Sequence, residues 1–462
     1  MAQMIKEPFA AYHHREVPAH DQELTEVGPG TPCGEYLRRF WHPVGLTAEL
    51  KDLPKRILVL GEDLVLFRDG RSKIGLLELH CSHRGTSLEF GMVERCGIRC
   101  CYHGWLYDVD GRVLETPGEP PESTFKDKFF HGAYPTIEYK GLIFAYMGPP
   151  EHRPEFPIYD SFELPGYRMI ASGETDPKYV YNCNWLQLAE NNADQTHFVF
   201  LHDPEEAREK LERYRPSVTG GPLADYFDVG LKEFETEFTA IRENFRSRVI
   251  EWQESPVGVI GIHSRRVGDL VWVRLGDYIM PNVDQFPPSR FRPTGELEFG
   301  PLYMTAWTVP VDDTHTVAFQ FRYAPENTEQ RSSARALRSS QSLSRTYEDR
   351  QRQPGDYEAQ ESQRPIAVHA LEHLGAMDRG VTLVRKLLRE GIRALQRGED
   401  PRRAVARDGK AIRTFCRNTV LRIPAADTPE ADRELVRNTG RKVAAAVIAG
   451  QAVWTAKDSL NG

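Results

Sequence analysis

The chain has 462 residues, too many for one ordinary core and enough for two well-buried domains. A composition of 40% hydrophobic and 27% charged residues is that of a globular protein, and a formal net charge of -8 leaves no basic excess to neutralise phosphates, which argues against nucleic acid as a partner. No run approaches the roughly 18 apolar residues of a spanning helix, and "MAQMIKEPFAAYHHREVPAHDQ" has no apolar signal core, so no membrane partner and a cytoplasmic location are expected.

In chain order, "GEYLRRFWHPVGL" (34–46) reads as a helix. "RILVLGEDLVLFRD" and "KIGLLELHC" follow as antiparallel strands with short Gly/Asp turns, and "GLIFAYMGPP" closes this region with a strand near residue 150. A second strand-rich block spans 245–325, with "DDTH" as a hairpin turn between two apolar runs. Residues 325–365 are rich in Ser, Arg, Gln and Glu and read as a surface excursion or lid, or as disorder. "GAMDRGVTLVRKLLREGIRAL" and "EADRELVRNTGRKVAAAVIAGQAVW" finish the chain as helices with apolar residues at three- and four-residue spacing.

Residues 80–105 hold four of the seven cysteines and three of the fifteen histidines. Cys33, Cys183 and Cys416 are scattered singly, so the cysteines form no disulfide framework and the clustered ones read as metal ligands. Structural zinc sites usually pair like with like, whereas here each pair is mixed: Cys81-x-His83, then sixteen residues, then Cys100-x2-His103. If two irons sit side by side, one Cys from each loop holds one and one His from each loop holds the other, the ligand set of a Rieske [2Fe–2S] centre. Gly85 and Gly104 follow the two pairs where chain reversal favours glycine. Tyr102 and Trp105 are placed to shield the cluster or simply to fill a core. Cys96 and Cys101 lie nearby, and only the x2 spacing selects Cys100.

A Rieske cluster has no open coordination position, so alone it describes a carrier, and a carrier is short. The next informative stretch is "NWLQLAENNADQTHFVFLHDP" (184–204). On a helix, Glu190, Asn191, Asp194 and His197 approach one face, and His202 lies just over a turn beyond His197. Two histidines and a carboxylate around Fe(II) form the facial triad that leaves positions open for O2. The bland alternative is a satisfied pair of core histidines. A one-electron donor upstream favours the metal, because it needs an acceptor.

With these motifs the chain resembles the oxygenase α-component of the Rieske non-haem iron oxygenases, in the phthalate-dioxygenase-like branch. The resemblance rests on the cluster motif, the Asn-x2-Asp-x2-His-x4-His segment and the late "QESQRPIAVHALEHLGAMD". Phrases such as "VGPGTPCGEYLRRFWHPVGL", "CNWLQLAEN" and "GLIFAYMGP" look closest to 5,5'-dehydrodivanillate O-demethylase oxygenase components. Two departures are "NNADQTH…FVFLHDP" and Arg364 where that subgroup has Gly.

The resemblance implies an α+β fold. An antiparallel-β Rieske domain (37–150) joins a larger catalytic domain (151–462) with an antiparallel, helix-grip-like sheet covered by helices, and an N-terminal segment (1–36) packs on the latter. It also implies a [2Fe–2S] cluster on Cys81, His83, Cys100 and His103, and a mononuclear Fe(II) on His197, His202 and Asp378. Asp194 joins the two centres across a subunit boundary in a homotrimer or a multiple of it, and Asn191 approaches the iron without ligating it. Glu190 is the next candidate if Asp378 is not the third ligand. Electrons would come from NAD(P)H through a separate flavin reductase, with or without a ferredoxin, since "GPGTPCG" (28–34) has the wrong spacing for a dinucleotide fingerprint.

The expected reaction is O-demethylation, through C–H hydroxylation, of a methoxylated or carboxylated aromatic compound, or alternatively ring hydroxylation or dihydroxylation. The alternative of another class is a non-enzymatic Rieske carrier or zinc-binding module. For the substrate pocket the second strand block offers His263, Arg265, Arg266 and Arg274, any of which, pointing inward, would read a carboxylate.

Overall fold

A computed structural model describes residues 8–13, 16–173, 180–194, 196–197, 201, 249–287, 302–325, 346–352, 354–403, 405–406 and 408–450. Two short helices open it, α1 (Gln22–Thr25) and α2 (Pro32–Leu37). Thr31 starts α2 by accepting a hydrogen bond from the Gly34 amide, with Pro32 in the first turn where its missing N–H costs nothing. The helix expected over 34–46 ends at Leu37. Trp41–Leu46 is instead strand β1, because Pro43 cannot continue a helix; a bulge between Pro43 and Gly45 lets the strand carry it.

Next come β2 (Lys55–Val59), β3 (Glu62–Arg68) and β4 (Ile74–Glu78), then β5 (Met92–Glu94), β6 (Gly97–Arg99), β7 (Leu106–Tyr107), β8 (Val113–Glu115) and β9 (Ala133–Tyr134). They form two four-stranded antiparallel sheets, ordered β2-β3-β4-β9 and β5-β6-β7-β8. Val65, Phe67, Leu77, Leu79, Ile98 and Tyr107 fill a core of their own. The strands β10 (Thr136–Tyr139) and β11 (Leu142–Tyr146) pair with β1 in a three-stranded sheet. That sheet belongs to the larger core: Phe144 meets Trp307 edge-on at 5.5 Å.

After β12 (Tyr167–Gly173) and α3 (Trp185–Asn191), the second strand block is an antiparallel sheet made with β13 (Val249–Glu254), β14 (Gly258–Val267), β15 (Leu270–Ile279), β16 (Val283–Phe286), β17 (Met304–Pro310) and β18 (Thr316–Pro325). The order is β12-β18-β17-β16-β15-β14-β13. Residues 311–315 make the expected hairpin, closed by Val311 N–H to His315 O at 2.9 Å.

Helices α4 (Tyr347–Arg352) and α5 (Asp356–Glu361) lie in the excursion, of which 326–345 falls outside the described residues. Helix α6 (Arg379–Gln396) buries Val381, Val384, Leu387, Leu388 and Ile392, one stripe at helical spacing. A last strand, β19 (Arg417–Arg422), pairs with the first half of β15, and α7 (Pro429–Ala449) follows. Thr428 caps α7 and Gly450 at φ +76 follows its last residue; 451–454 of the expected helix lie outside the described residues. The fold is mixed α+β, with antiparallel sheets throughout. No helix among the described residues is long and apolar enough to cross a membrane.

Candidate active site

Cys81 and Cys100 begin two loops with the same backbone frame. Each cysteine amide donates to the carbonyl five residues on, Thr86 at 2.9 Å and Trp105 at 2.8 Å. Each cysteine carbonyl accepts from the amide four residues on, Gly85 at 2.8 Å and Gly104 at 3.1 Å. Both glycines hold φ near +75, which only glycine adopts without strain, so the reversal expected from sequence is present in both loops. Arg99 braces the second loop by donating to Gly104 O at 2.6 Å, while Glu94 holds its Nε at 2.5 Å.

In this frame both thiols point into the small core, and Tyr107 Oη lies 3.0 Å from Cys81 Sγ. Burial pushes the Cys81 thiol up, with Tyr107 working against it. The His83 and His103 rings meet edge-on at 4.5 Å on the half-buried rim, and His83 stacks on Trp105 at 4.7 Å. Nδ1 of His83 is buried with no hydrogen-bond partner among the described residues. Cys101, by contrast, is exposed. Two buried thiols and two adjacent imidazoles, one with an orphaned nitrogen, are a soft donor set suited to a cluster.

The second region is less local. Asn184 caps α3 by accepting from Leu186 N–H at 3.2 Å, and Trp185–Ala189 are wholly buried. The helix expected to run through His197 stops at Asn191. Beyond it Asp194 Oδ1 accepts from the Thr196 amide at 2.8 Å, as the residue capping a helix does, and His197 is again helical. Asp194 Oδ2 is 3.8 Å from His197 Nδ1, adjacent but beyond hydrogen-bond length. His202 lies outside the described residues.

Asp378 ends a 3-10 turn and starts α6, its Oδ2 accepting from Gly375 N–H at 2.6 Å. Two residues on, Gly380 packs so closely on the Ala193 carbonyl and the Trp252 ring that any side chain would collide with them. The chain around Asp378 is thereby seated against the chain leading to Asp194 and His197. Gln187 ties the preceding stretch to α3, donating to Gln360 O and Arg364 O and accepting from Ala367 N–H. Arg364 itself sits at φ +90, the region that suits the glycine of the resembling subgroup.

Beside this region the sheet forms a small recess lined in part by Asn192, Trp252, His263, Arg274, Asp284 and Phe286. Of the four pocket candidates, His263 and Arg274 reach it, as cross-strand partners on β14 and β15. Arg266 points the other way, into an ion pair with Asp432 on α7. Arg265 is buried over the Trp272 ring at 5.2 Å. Asp284 accepts from Asn192 Nδ2 at 2.6 Å, and burial drives its carboxyl well above the usual range.

Residues 40–129 match the Rieske [2Fe-2S] domain. The chain is 40% identical over 436 residues to the tert-butanol monooxygenase / tert-amyl alcohol desaturase oxygenase subunit of Aquincola tertiaricarbonis, covering 91% of this chain and 87% of the relative. The chain belongs to the Rieske non-haem iron oxygenases. Another relative is the 5,5'-dehydrodivanillate O-demethylase oxygenase subunit of a Sphingobium species, 32% identical with 89% of each chain covered. Among solved structures, the Pseudomonas putida CBB5 NdmA QL mutant with caffeine superposes with a TM-score of 0.58 at 21% identity, covering 82% of this chain and 99% of that one, a likeness of fold.

As a Rieske oxygenase the chain is an oxidoreductase, the oxygenase component of a multicomponent system that takes electrons from a reductase, and it uses a [2Fe–2S] cluster and a mononuclear iron. The donor set described above fits the cluster. For the mononuclear iron two arrangements compete. Glu190, His369 and Glu372 have ligand atoms within 4.8 Å of one another. However, Arg385 donates to all four carboxylate oxygens of Glu190 and Glu372, so a cation already occupies the space a divalent ion would need. The His197 and Asp378 segments carry the imidazole and carboxylate chemistry that the iron requires.

Sequence reasoning missed this arginine-centred group and the Asn192–Asp284 pair. Asn192 and Asp284 lie 92 residues apart, and Arg385 lies 195 residues from Glu190 and 13 from Glu372, all beyond the three- and four-residue spacings that mark one helix face.

Proposed function

We propose that this oxygenase hydroxylates a C–H bond of an aromatic substrate bearing methoxy or carboxyl groups, and that its reaction is O-demethylation. The observation that carries the reading is the cavity beside α3, where the Trp252 and Phe286 rings adjoin Arg274 and His263. Flat apolar walls suit an aromatic ring, and a guanidinium suits a carboxylate taken in bidentate fashion. Cys81 and Cys100 would hold one cluster iron and His83 and His103 the other, in a Rieske domain of residues 37–150. His197, His202 and Asp378 would hold the mononuclear iron in a catalytic domain of residues 151–462.

When bound, these groups supply single electrons and O2 activation beside the substrate. The chain's own residues do the rest. Arg274 orients the substrate, and Trp252 and Phe286 exclude water from its ring. Asp194, beside His197, steers that imidazole through Nδ1 and reaches His103 of a neighbouring subunit in a homotrimer. In balance, Ar–O–CH3 with O2, two electrons and two protons gives Ar–OH, formaldehyde and water, the hydroxylated methyl leaving as the aldehyde. The electrons come from NAD(P)H through a flavin reductase.

A second reading is oxidation of an aliphatic C–H bond in a small tertiary alcohol, favoured by the relative at 40% identity that is named for tert-butanol. Turnover under 18O2 of a panel of methoxylated and carboxylated aromatics together with tert-butyl and tert-amyl alcohols separates the two. One formaldehyde per O2 supports demethylation. A cis-diol carrying both labelled oxygens means dioxygenation, and turnover confined to the tertiary alcohols overturns the aromatic reading.

A further inference from the structure

One guanidinium joins the two stretches of chain assigned to the mononuclear iron. Arg385 lies on α6 with its side chain 12% exposed. Its Nε and Nη2 donate to the two oxygens of Glu190 at 2.5 and 2.6 Å, and its Nη1 and Nη2 donate to those of Glu372 at 2.5 and 2.9 Å. Glu190 is at the end of α3, seven residues before His197, and Glu372 is six residues before Asp378. A planar fork held at both ends fixes distance and orientation together, which a point charge does not.

The same helix extends the grip. One turn further along, Arg389 pairs with Asp21 and Glu23 of α1 and its leading residue, and His369, one turn before Glu372, has Nδ1 3.8 Å from Asp21. Burying two carboxylates around one arginine is a poor way to gain stability, since apolar residues of the same volume do as well. What the arrangement offers is a defined geometry.

We propose that Arg385 is a positioning residue for the mononuclear iron: gripping Glu190 and Glu372 at once, it sets the α3–His197 stretch and the Glu372–Asp378 stretch at the spacing their ligands need. This rests on the assignment of His197 and Asp378 made above.

The test is anaerobic Fe(II) titration of the full chain with its cluster intact, alongside cluster absorbance and melting temperature. Glu372→Gln is the informative variant, because it releases one end of the clamp. Removing Arg385 instead would leave Glu190, His369 and Glu372, within 4.8 Å of one another, to bind iron themselves and mask the loss. Glu372→Gln should weaken Fe(II) binding about tenfold to a hundredfold, as loss of an outer partner does, with cluster spectrum and melting temperature unchanged. Arg385→Lys, which keeps the charge and loses the fork, should fall between Glu372→Gln and wild type. Arg393→Gln, also on α6, cuts a more exposed pair with Glu23 of α1 and should bind Fe(II) as wild type does.

Wild-type affinity in Glu372→Gln, while His197→Ala loses iron, overturns the clamp and leaves the ligand assignment standing. Wild-type affinity in both His197→Ala and Asp378→Ala overturns the assignment and the clamp with it. A fall in melting temperature and cluster absorbance together with iron affinity assigns Arg385 a general structural role and also overturns the proposal.

Discussion

The loops around Cys81 and Cys100 and the region around His197 and Asp378 are built on opposite plans. Each loop is closed by its own backbone, with a hydrogen bond out to the fifth residue and one back from a left-handed glycine, so its donors are set within six residues of chain. Among the described residues the second region shows no such frame. Its segments are held by contacts from far away in sequence: Gly380 against Ala193, Gln187 on Arg364 and Ala367, Arg385 on Glu190. A self-closed loop tolerates change elsewhere, whereas a site assembled from distant segments registers every shift in its supports.

The sharpest break of that comparison is a single atom in one loop. Cys100→Ser should abolish the Rieske absorption and all turnover, while Cys101→Ser, at an exposed position one residue on, should keep both. Visible absorbance and iron and sulfide analysis decide it, and the reverse pattern would mean that the loop frame selects the wrong sulfur. Next in size, His197→Ala should lose the mononuclear iron and turnover yet keep the full cluster spectrum. If the cluster bleached too, the two regions would not be independent.

Asp194→Asn should leave both metal complements in place and slow the transfer between them by orders of magnitude, read as cluster reoxidation after mixing reduced protein with substrate and O2. The amide keeps the size and removes the charge that steers His197, whose Nδ1 lies 3.8 Å away. Dilution that separates subunits should have the same effect on wild type, and a fully active monomer would refute transfer between subunits.

The contrast also explains what was legible in the sequence. The cluster loops are read from spacing because each is a local device: mixed Cys/His pairs, then a glycine where φ is positive. Strands β2 to β4 and the 311–315 hairpin are read equally well, since alternation and a turn fix them. The failures sit where a local signal is overruled. Pro43 sits inside the expected helix although it forces a bulged strand, and the expected run from Asn184 to His197 is interrupted after Asn191, with Asp194 accepting from the Thr196 amide beyond the break. The Arg385 group was invisible because Glu190, Glu372 and Arg385 are ordinary charged residues until the fold brings them together.

The larger domain buries acids that the cluster loops do not need, and pH exposes that difference. Asp277 on β15 is fully buried, with Oδ2 accepting from the Phe415 and Cys416 amides, and burial pushes its carboxyl to about 7 against those two donors. The folded chain therefore keeps a proton that the unfolded chain releases near pH 4, so the stability this group contributes is present below that pH and is lost as pH rises to about 7. Asp277→Asn removes the titration and keeps an oxygen for both amides. The stability of wild type relative to this variant should fall by up to about 1.4 kcal/mol per pH unit between pH 4 and 7, measured by urea unfolding followed through tryptophan fluorescence. A difference that does not vary with pH would show that Asp277 is ionised in the folded chain.

The smallest expected effect lies in the cluster loops and tests how rigid they are. Tyr107 is fully buried, its ring packed 4.5 Å from His131 and its Oη 3.0 Å from Cys81 Sγ. A hydrogen bond to a cluster sulfur favours the reduced, more negative state, so losing it lowers the reduction potential. Tyr107→Phe keeps the ring and deletes only the hydroxyl, and a bond of about 1 kcal/mol corresponds to roughly 40 mV for one electron. A drop of that size, with the cluster fully loaded and turnover reduced only modestly, is what a self-closed loop predicts, because its backbone frame does not depend on Oη. Loss of the cluster would mean instead that Tyr107 holds the loop in shape. An unchanged potential would place the sulfur of Cys81 out of reach of the hydroxyl once iron is bound.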